Sequence, residues 1–197
     1  MLKKIILGFC TSIIFCLPAQ AIDTNNVYAV KGAGLTACAR FLESAENKDG
    51  SYLVYGGWIE GYISALNQQL DQTFDLAPWQ STPLLLRLVE ANCKANENVQ
   101  FHQVAKAMVG QLVEGKIQVG SSFIMINNDP HFVFQEEVIK RIKIVLRQKG
   151  FYQGAIDKTW TQDSMDALKG FQNSKGLPTS GLPDQDTLTQ LFYSNAK

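Results

Sequence analysis

An all-α protein is what the sequence predicts: a disulfide-stapled four-helix domain followed by a compact three-helix domain. Three observations carry this. Apolar residues recur at helical spacing in successive stretches separated by breakers. Cys38 and Cys93 are the two cysteines left once an N-terminal export signal is set aside. The pattern also changes at residue 135, after a stretch rich in Gly, Ser and Asn.

The export signal reads from its three parts. Met1-Leu2-Lys3-Lys4 is the charged region, residues 5–17 are apolar, and Ala19-Gln20-Ala21 is an A-x-A cleavage site, so residues 1–21 read as a signal peptide. The mature chain is then expected to begin at Ile22. The apolar stretch is shorter than the roughly 20 residues of a membrane span. Phe9 before Cys10 and Phe15 before Cys16 do not suit lipidation, which wants a small residue there. No spanning apolar run follows Ala21, so the expectation is a protein of the periplasm or cell envelope with no membrane contact after cleavage. Without Lys3 and Lys4 the 18 basic residues fall to 16 against 18 acidic. A near-neutral chain has no electrostatic footprint for nucleic acid. Two cysteines in an oxidising compartment read as one bridge, Cys38 to Cys93.

Residues 22–34 are polar and Gly-rich and read as a flexible lead-in. The four-helix domain is expected over 35–118. Thr36 is the candidate N-cap of a first helix with Cys38, Phe41, Leu42 and Ala45 on one face. A second helix from about Ser51 carries Val54, Tyr55, Trp58, Tyr62, Leu66 and Leu70 on a broad face. Gly56, Gly57 and Gly61 inside it each cost about 1 kcal/mol against Ala, which close helix packing would explain. Ser81-Thr82-Pro83 starts a third helix bearing Leu84, Leu85, Leu88, Val89 and Cys93. A fourth, over about 101–114, shows Val104, Ala105, Met108, Val109 and Leu112 before Gly115. The bridge would staple the first helix to the third.

The second helix opens with Gly57-Trp58-Ile59-Glu60-Gly61-Tyr62-Ile63-Ser64-Ala65-Leu66-Asn67, and the third ends in Asn92-Cys93-Lys94-Ala95-Asn96-Glu97. With the four helices and two cysteines, these segments resemble the Tai-type immunity proteins against cell-wall amidases and, more distantly, the HdeA-like periplasmic chaperones. The family's first half-motif, W-x-x-G-Y-x-x-G-x-N, is recognisable; the second, Y-C-x-x-N-P, keeps Cys and Asn but lacks Tyr and Pro. The resemblance implies a helical periplasmic domain and a protein partner, without carrying toxin inhibition over.

Residues 119–134 read as a linker, with Gly120-Ser121-Ser122 and Asn127-Asn128-Asp129-Pro130 flanking one short extended segment, 123–126. From residue 135 the pattern is helical again. Val138, Ile139, Ile142, Val145 and Leu146 form a stripe that Gly150 terminates. The turn Phe151-Tyr152-Gln153-Gly154-Ala155-Ile156-Asp157 leads to a helix capped by Thr161 or Asp163, with Met165, Ala167, Leu168 and Phe171 inward. After Gly176-Leu177 and Gly181 a last helix begins near Asp184 and points Leu188 and Leu191 inward.

This segment, 135–193, resembles the type 1 peptidoglycan-binding domain. The residues that carry the resemblance include Gly150, Phe151, Tyr152, Gly154, Ile156, Asp157, Trp160, Ala167, Leu168, Phe171, Gln172, Gly181, Thr187, Leu188 and Leu191. It departs from the family line at Lys143 (Gln in the family), Lys158 (Gly), Thr161 (Gly) and Ser164 (Thr). The resemblance implies peptidoglycan as the partner and a three-helix fold. Candidate ligand contacts are Tyr152 and Trp160, flat rings that stack on sugars, with Asp157 and Gln172, which hydrogen-bond amides. Each has a structural alternative: Trp160 filling the core beside Phe171, Asp157 capping the turn, Gln172 bracing the loop after Gly176, and Tyr152 lying inside rather than on the surface.

Catalysis is not expected. The mature chain has His102 and His131 as its histidines, too few for a zinc site of three protein ligands, and no H-E-x-x-H. Both cysteines are expected in a bridge, and G-x-S-x-G is absent. Glu60 between Trp58 and Tyr62 is the one carboxylic acid placed to suggest glycan cleavage, and a surface Glu on an amphipathic helix is the commoner explanation of it. No metal or cofactor is expected. Three readings result: a wall-binding protein whose first domain contacts another periplasmic protein, an inhibitor of a cell-wall hydrolase held at the wall, and a glycan-cleaving enzyme.

Overall fold

A computed structural model describes residues 27–193. The signal peptide, its A-x-A site and the expected start at Ile22 lie outside the described residues. By its contacts the chain divides after Val30, and Lys31–Lys197 is the larger unit. Within it the order is α1 (Cys38–Asn47), α2 (Gly50–Gln69), α3 (Thr82–Cys93), α4 (Phe101–Leu112), β1 (Phe123–Met125), β2 (Val133–Gln135), α5 (Glu136–Gln148), α6 (Gln162–Ser174) and α7 (Gln185–Tyr193). The mostly-α fold agrees with the expected class.

Helices α1 to α4 close on a first core because each carries one buried stripe. Cys38, Phe41 and Ser44 face inward from α1, Tyr55, Ile59 and Ile63 from α2, Leu85, Leu86, Val89 and Cys93 from α3. At its centre three rings meet: Phe101 lies 4.9 Å from Phe41 and 4.7 Å from Tyr55. Such edge and tilted packing adds roughly 0.5–1.5 kcal/mol per pair beyond area burial. The Cys38–Cys93 disulfide, both residues fully buried with Cα atoms 5.2 Å apart, joins α1 to α3 as the pairing arithmetic expects.

Local chemistry differs from the sequence reading at four places. Thr36 does not cap α1; the N-cap position is Ala37, and the Thr36 hydroxyl donates to Ala33 O at 2.8 Å and meets Tyr55 Oη at 2.9 Å. Its carbonyl accepts from the Phe101 N–H at 2.8 Å, so Thr36 fastens the start of α4 instead. Second, Gly32–Leu35 at the end of the expected lead-in forms a 3-10 turn, with Lys31 O accepting from Trp58 Nε1 at 2.8 Å. Third, close packing explains Gly56, where a Cβ would stand 3.1 Å from Thr82 Cγ2, but it does not explain Gly57 or Gly61, which meet nothing within 4 Å. Fourth, the expected single extended segment has a partner. β1 and β2 pair antiparallel, Ile124 opposite Phe134, around Asn127 and Asn128 at φ 53° and 56°. Asparagine tolerates that left-handed region, which a tight reversal needs.

Helices α5 to α7 surround a second core of Val138, Ile142, Leu146, Ala167, Leu168, Phe171, Leu188 and Leu191. Residues from before the segment 135–193 also enter this core. Ile117, fully buried, belongs to the same core, and Trp79 from the loop between α2 and α3 packs against it. The Trp79 ring lies 5.0 Å from Phe192 and 5.1 Å from Tyr193. Hydrogen bonds seat the same loop on α7: Ser81 N–H donates to Gln185 Oε1 at 2.6 Å and Gln80 Nε2 to Tyr193 Oη at 3.1 Å.

The bridge spans a sequence separation of 55 residues. Closing a loop of that size removes chain entropy worth about 4 kcal/mol from the unfolded state. Replacing both Cys38 and Cys93 by Ala is expected to lower unfolding stability by up to about that amount, measured by denaturant melts, and added reductant should then have no further effect on the variant.

Candidate functional site

The turn between α5 and α6 gathers three of the four candidate contacts. α5 ends at Gln148, and Gly150 at φ 83° reverses the chain as the sequence reading expects of a C-terminal glycine. The Phe151 N–H closes the end by donating to Leu146 O at 2.9 Å. The chain then folds over Tyr152, whose hydroxyl donates to Ala155 O at 2.9 Å. A Cβ at Gly154 would stand 2.6 Å from that hydroxyl, so the loop closes around the ring only with glycine there.

Tyr152 is therefore not the exposed ring that suits sugar stacking. It is 3% exposed and part of the second core, because the loop after Gly150 wraps it instead of displaying it. Gln172 is also away from solvent. Its Nε2 donates to Ser180 Oγ, Leu182 O and Thr187 Oγ1 at 3.0–3.2 Å, and its Oε1 accepts from Gly181 N–H at 2.8 Å. Both polar atoms of that amide are engaged, by residues 180–182 of the loop before α7 and by Thr187 on α7 itself, so it braces the loop. Trp160 packs half-buried against the core, and its indole N–H is buried with no acceptor among the described residues.

Asp157 is the candidate that faces solvent, with its side chain 48% exposed. Its Oδ1 accepts from Lys143 Nζ at 2.6 Å and from Thr159 N–H and Oγ1 at 3.1 and 2.8 Å. Lys143 rises from α5 with its side chain 1% exposed, and its ammonium lies 5.6 Å from the centre of the Tyr152 ring. The sequence reading noted Lys143 as a departure from the family line and missed its partner. The hydrogen bond from Lys143, then those from Thr159, hold the Asp157 carboxyl down at about 2. The cluster is thus an ion pair clamped under a turn, with its polar groups directed at one another.

Residues that sequence reading did not single out line the seam between the two cores. They are Trp79, Gln80, Arg141 and Tyr193, with Arg141 Nη2 donating to Lys116 O at 2.8 Å and Nη1 to Gly115 O. Pro78-Trp79 in a polar loop was the available signal, but which surface the indole meets depends on residues more than 100 positions away. Among the described residues no group of three or more His, Cys, Asp or Glu could hold a metal ion, and no helix is long and apolar enough to cross a membrane. His102 Nδ1 lies 3.1 Å from Gly34 O, and His131 pairs with Asp129 at 2.8 Å.

A carboxyl held below its ordinary value stabilises the fold at neutral pH, and that contribution is withdrawn as pH falls from about 4 toward 2. Asp157→Asn is expected to melt below the parent at pH 7 and together with it near pH 2, followed by thermal circular dichroism. A gap of equal size at both pH values would remove the ion pair as its cause.

No curated protein and no solved structure matches the chain. Residues 135–191, which take in α5, α6 and most of α7, match the family model described as "Putative peptidoglycan binding domain".

Proposed function

We propose that this is a non-enzymatic protein of the bacterial periplasm that binds peptidoglycan, with the α1–α4 half contacting a protein partner. The observation that carries the reading is the family match over residues 135–191, on a segment whose three helices and glycine-closed turn have the expected layout. The disulfide supports an extracytoplasmic setting, because such bridges persist in oxidising compartments. The absence of catalysis is proposed on the residues that the first half offers. Glu60 stands exposed on α2, and its carboxylate accepts a hydrogen bond from the Thr82 hydroxyl, so it is no buried general acid. A protein partner for α1–α4 is supported by α2, where Leu53 is 77% and Val54 60% exposed beside the open Gly57.

The test is co-sedimentation of the exported protein with purified sacculi, together with analysis of the supernatant for released muropeptides. Retention without release is the expected result. Protein that stays in solution at every sacculus concentration overturns peptidoglycan binding, and released muropeptides overturn the non-enzymatic reading.

A further inference from the structure

Between α4 and α5 lies an open cleft of about 940 Å³. Gly110, Gln111 and Glu114 line it from α4 and the turn after it, Ile144 and Gln148 from α5, and the packed rings of Trp79, Phe192 and Tyr193 line it as well. The α1–α4 half and the C-terminal region each supply part of it. Arg141 fixes its width by fastening the turn after α4 onto α5 through the carbonyls of Gly115 and Lys116, and it pairs with Glu137 at 3.4 Å.

The chemistry of the lining is unlike that of the turn around Asp157. Gln111, Glu114 and Gln148 are exposed, and their side chains make no hydrogen bond or ion pair among the described residues. Aromatic and aliphatic surface is continuous with these free polar groups. An N-acetylated sugar needs that combination: apolar C–H faces against rings, amide side chains for the acetamido group, and a carboxylate to accept from hydroxyls. Charge argues against the peptide stems, whose carboxylates would meet the free Glu114 while the one guanidinium in the lining is already spent on carbonyls and Glu137. We propose that this cleft takes the neutral N-acetylated glycan strand of peptidoglycan, so that the ligand is held by both halves of the protein at once. The inference rests on the reading of the protein as peptidoglycan-binding and adds the place and the part of the polymer.

Gly110 offers a clean way to block the cleft, since a Cβ there meets nothing within 4 Å. In the full exported chain, Gly110→Trp is expected to weaken retention on sacculi at least tenfold without lowering the melting temperature. Gln111→Ala combined with Gln148→Ala does the same without adding bulk, and it decides the matter if Gly110→Trp fails to fold. Gln153→Ala, in the turn beside Tyr152, should bind as the parent does. Titrating the ¹⁵N-labelled protein with a β-1,4-linked N-acetylglucosamine hexasaccharide should shift the Trp79 indole and the amides of Gly110, Gln111 and Gln148, and saturate. Parent-like retention of the folded cleft variants overturns the cleft while leaving wall binding intact, as do shifts confined to residues 151–166. Saturable binding of a free stem peptide in the cleft, with no response to the hexasaccharide, overturns the glycan assignment. A parent protein that does not bind sacculi removes the functional reading and this inference together.

Discussion

Trp79 belongs by sequence to the first helical half, in the loop before α3, yet its ring packs on Phe192 and Tyr193 at the end of the chain. Much of the architecture depends on that crossing. The same loop donates Ser81 N–H to Gln185 and Gln80 to Tyr193, while Ile117 enters the second core from the turn after α4. A three-helix segment of fewer than 60 residues buries only about 60% of the surface its unfolded chain exposes, so an added aromatic and an added isoleucine are substantial contributions. At about 25 cal/mol per Å² of apolar area, each large side chain removed from water is worth roughly 1.5–3 kcal/mol. The C-terminal region is thus completed by residues outside the 135–191 that the family model matches.

The seam has a directional consequence as well. Arg141 reaches from α5 to the carbonyls of Gly115 and Lys116, at the end of the 3-10 turn Val113–Gly115 that follows α4. One guanidinium therefore ties the turn after α4 to α5. The two halves are not beads on a flexible tether. The segment between them folds back as the β1–β2 hairpin, with Gln135 buried at its base and accepting from the Ser121 N–H at 3.2 Å.

What the sequence discloses about this fold follows from which forces are local. Helix positions were legible because a stripe such as Val138, Ile139, Ile142 and Leu146 states its own burial through a 3.6-residue period. The bridge was legible by counting. The burial of Tyr152 was not, since an amphipathic ring beside a glycine turn suits either a surface or a core, and only the wrapping of residues 153–155 decides it. Gln172 was open for the same reason: its partners arrive from Ser180, Gly181, Leu182 and Thr187, and a buried, hydrogen-bonded amide looks in sequence like a ligand contact. The second strand, Val133–Gln135, is too short to show alternation, and helix spacing cannot say which face of Gly57 or Gly61 has a neighbour.

The four departures from the family line show how the structure absorbs substitution. Lys143 replaces a glutamine and lies buried, which would cost several kcal/mol for an unpaired ammonium, but Asp157 receives it at 2.6 Å. Lys158 replaces a glycine and reaches Glu136 at 3.1 Å, tying the turn to the first residue of α5. Thr161 replaces another glycine at the N-cap of α6, and Ser164, standing for threonine and fully buried, accepts from the Thr161 N–H at 3.4 Å. Each departing residue has a partner inside the turn or on one of the two helices that flank it. Polar groups engaged in this way hold shape and have little left to offer a ligand. In this chain the turn is accordingly a clamp, and the free amides and the free carboxylate beside aromatic surface stand in the cleft that the first half helps to build.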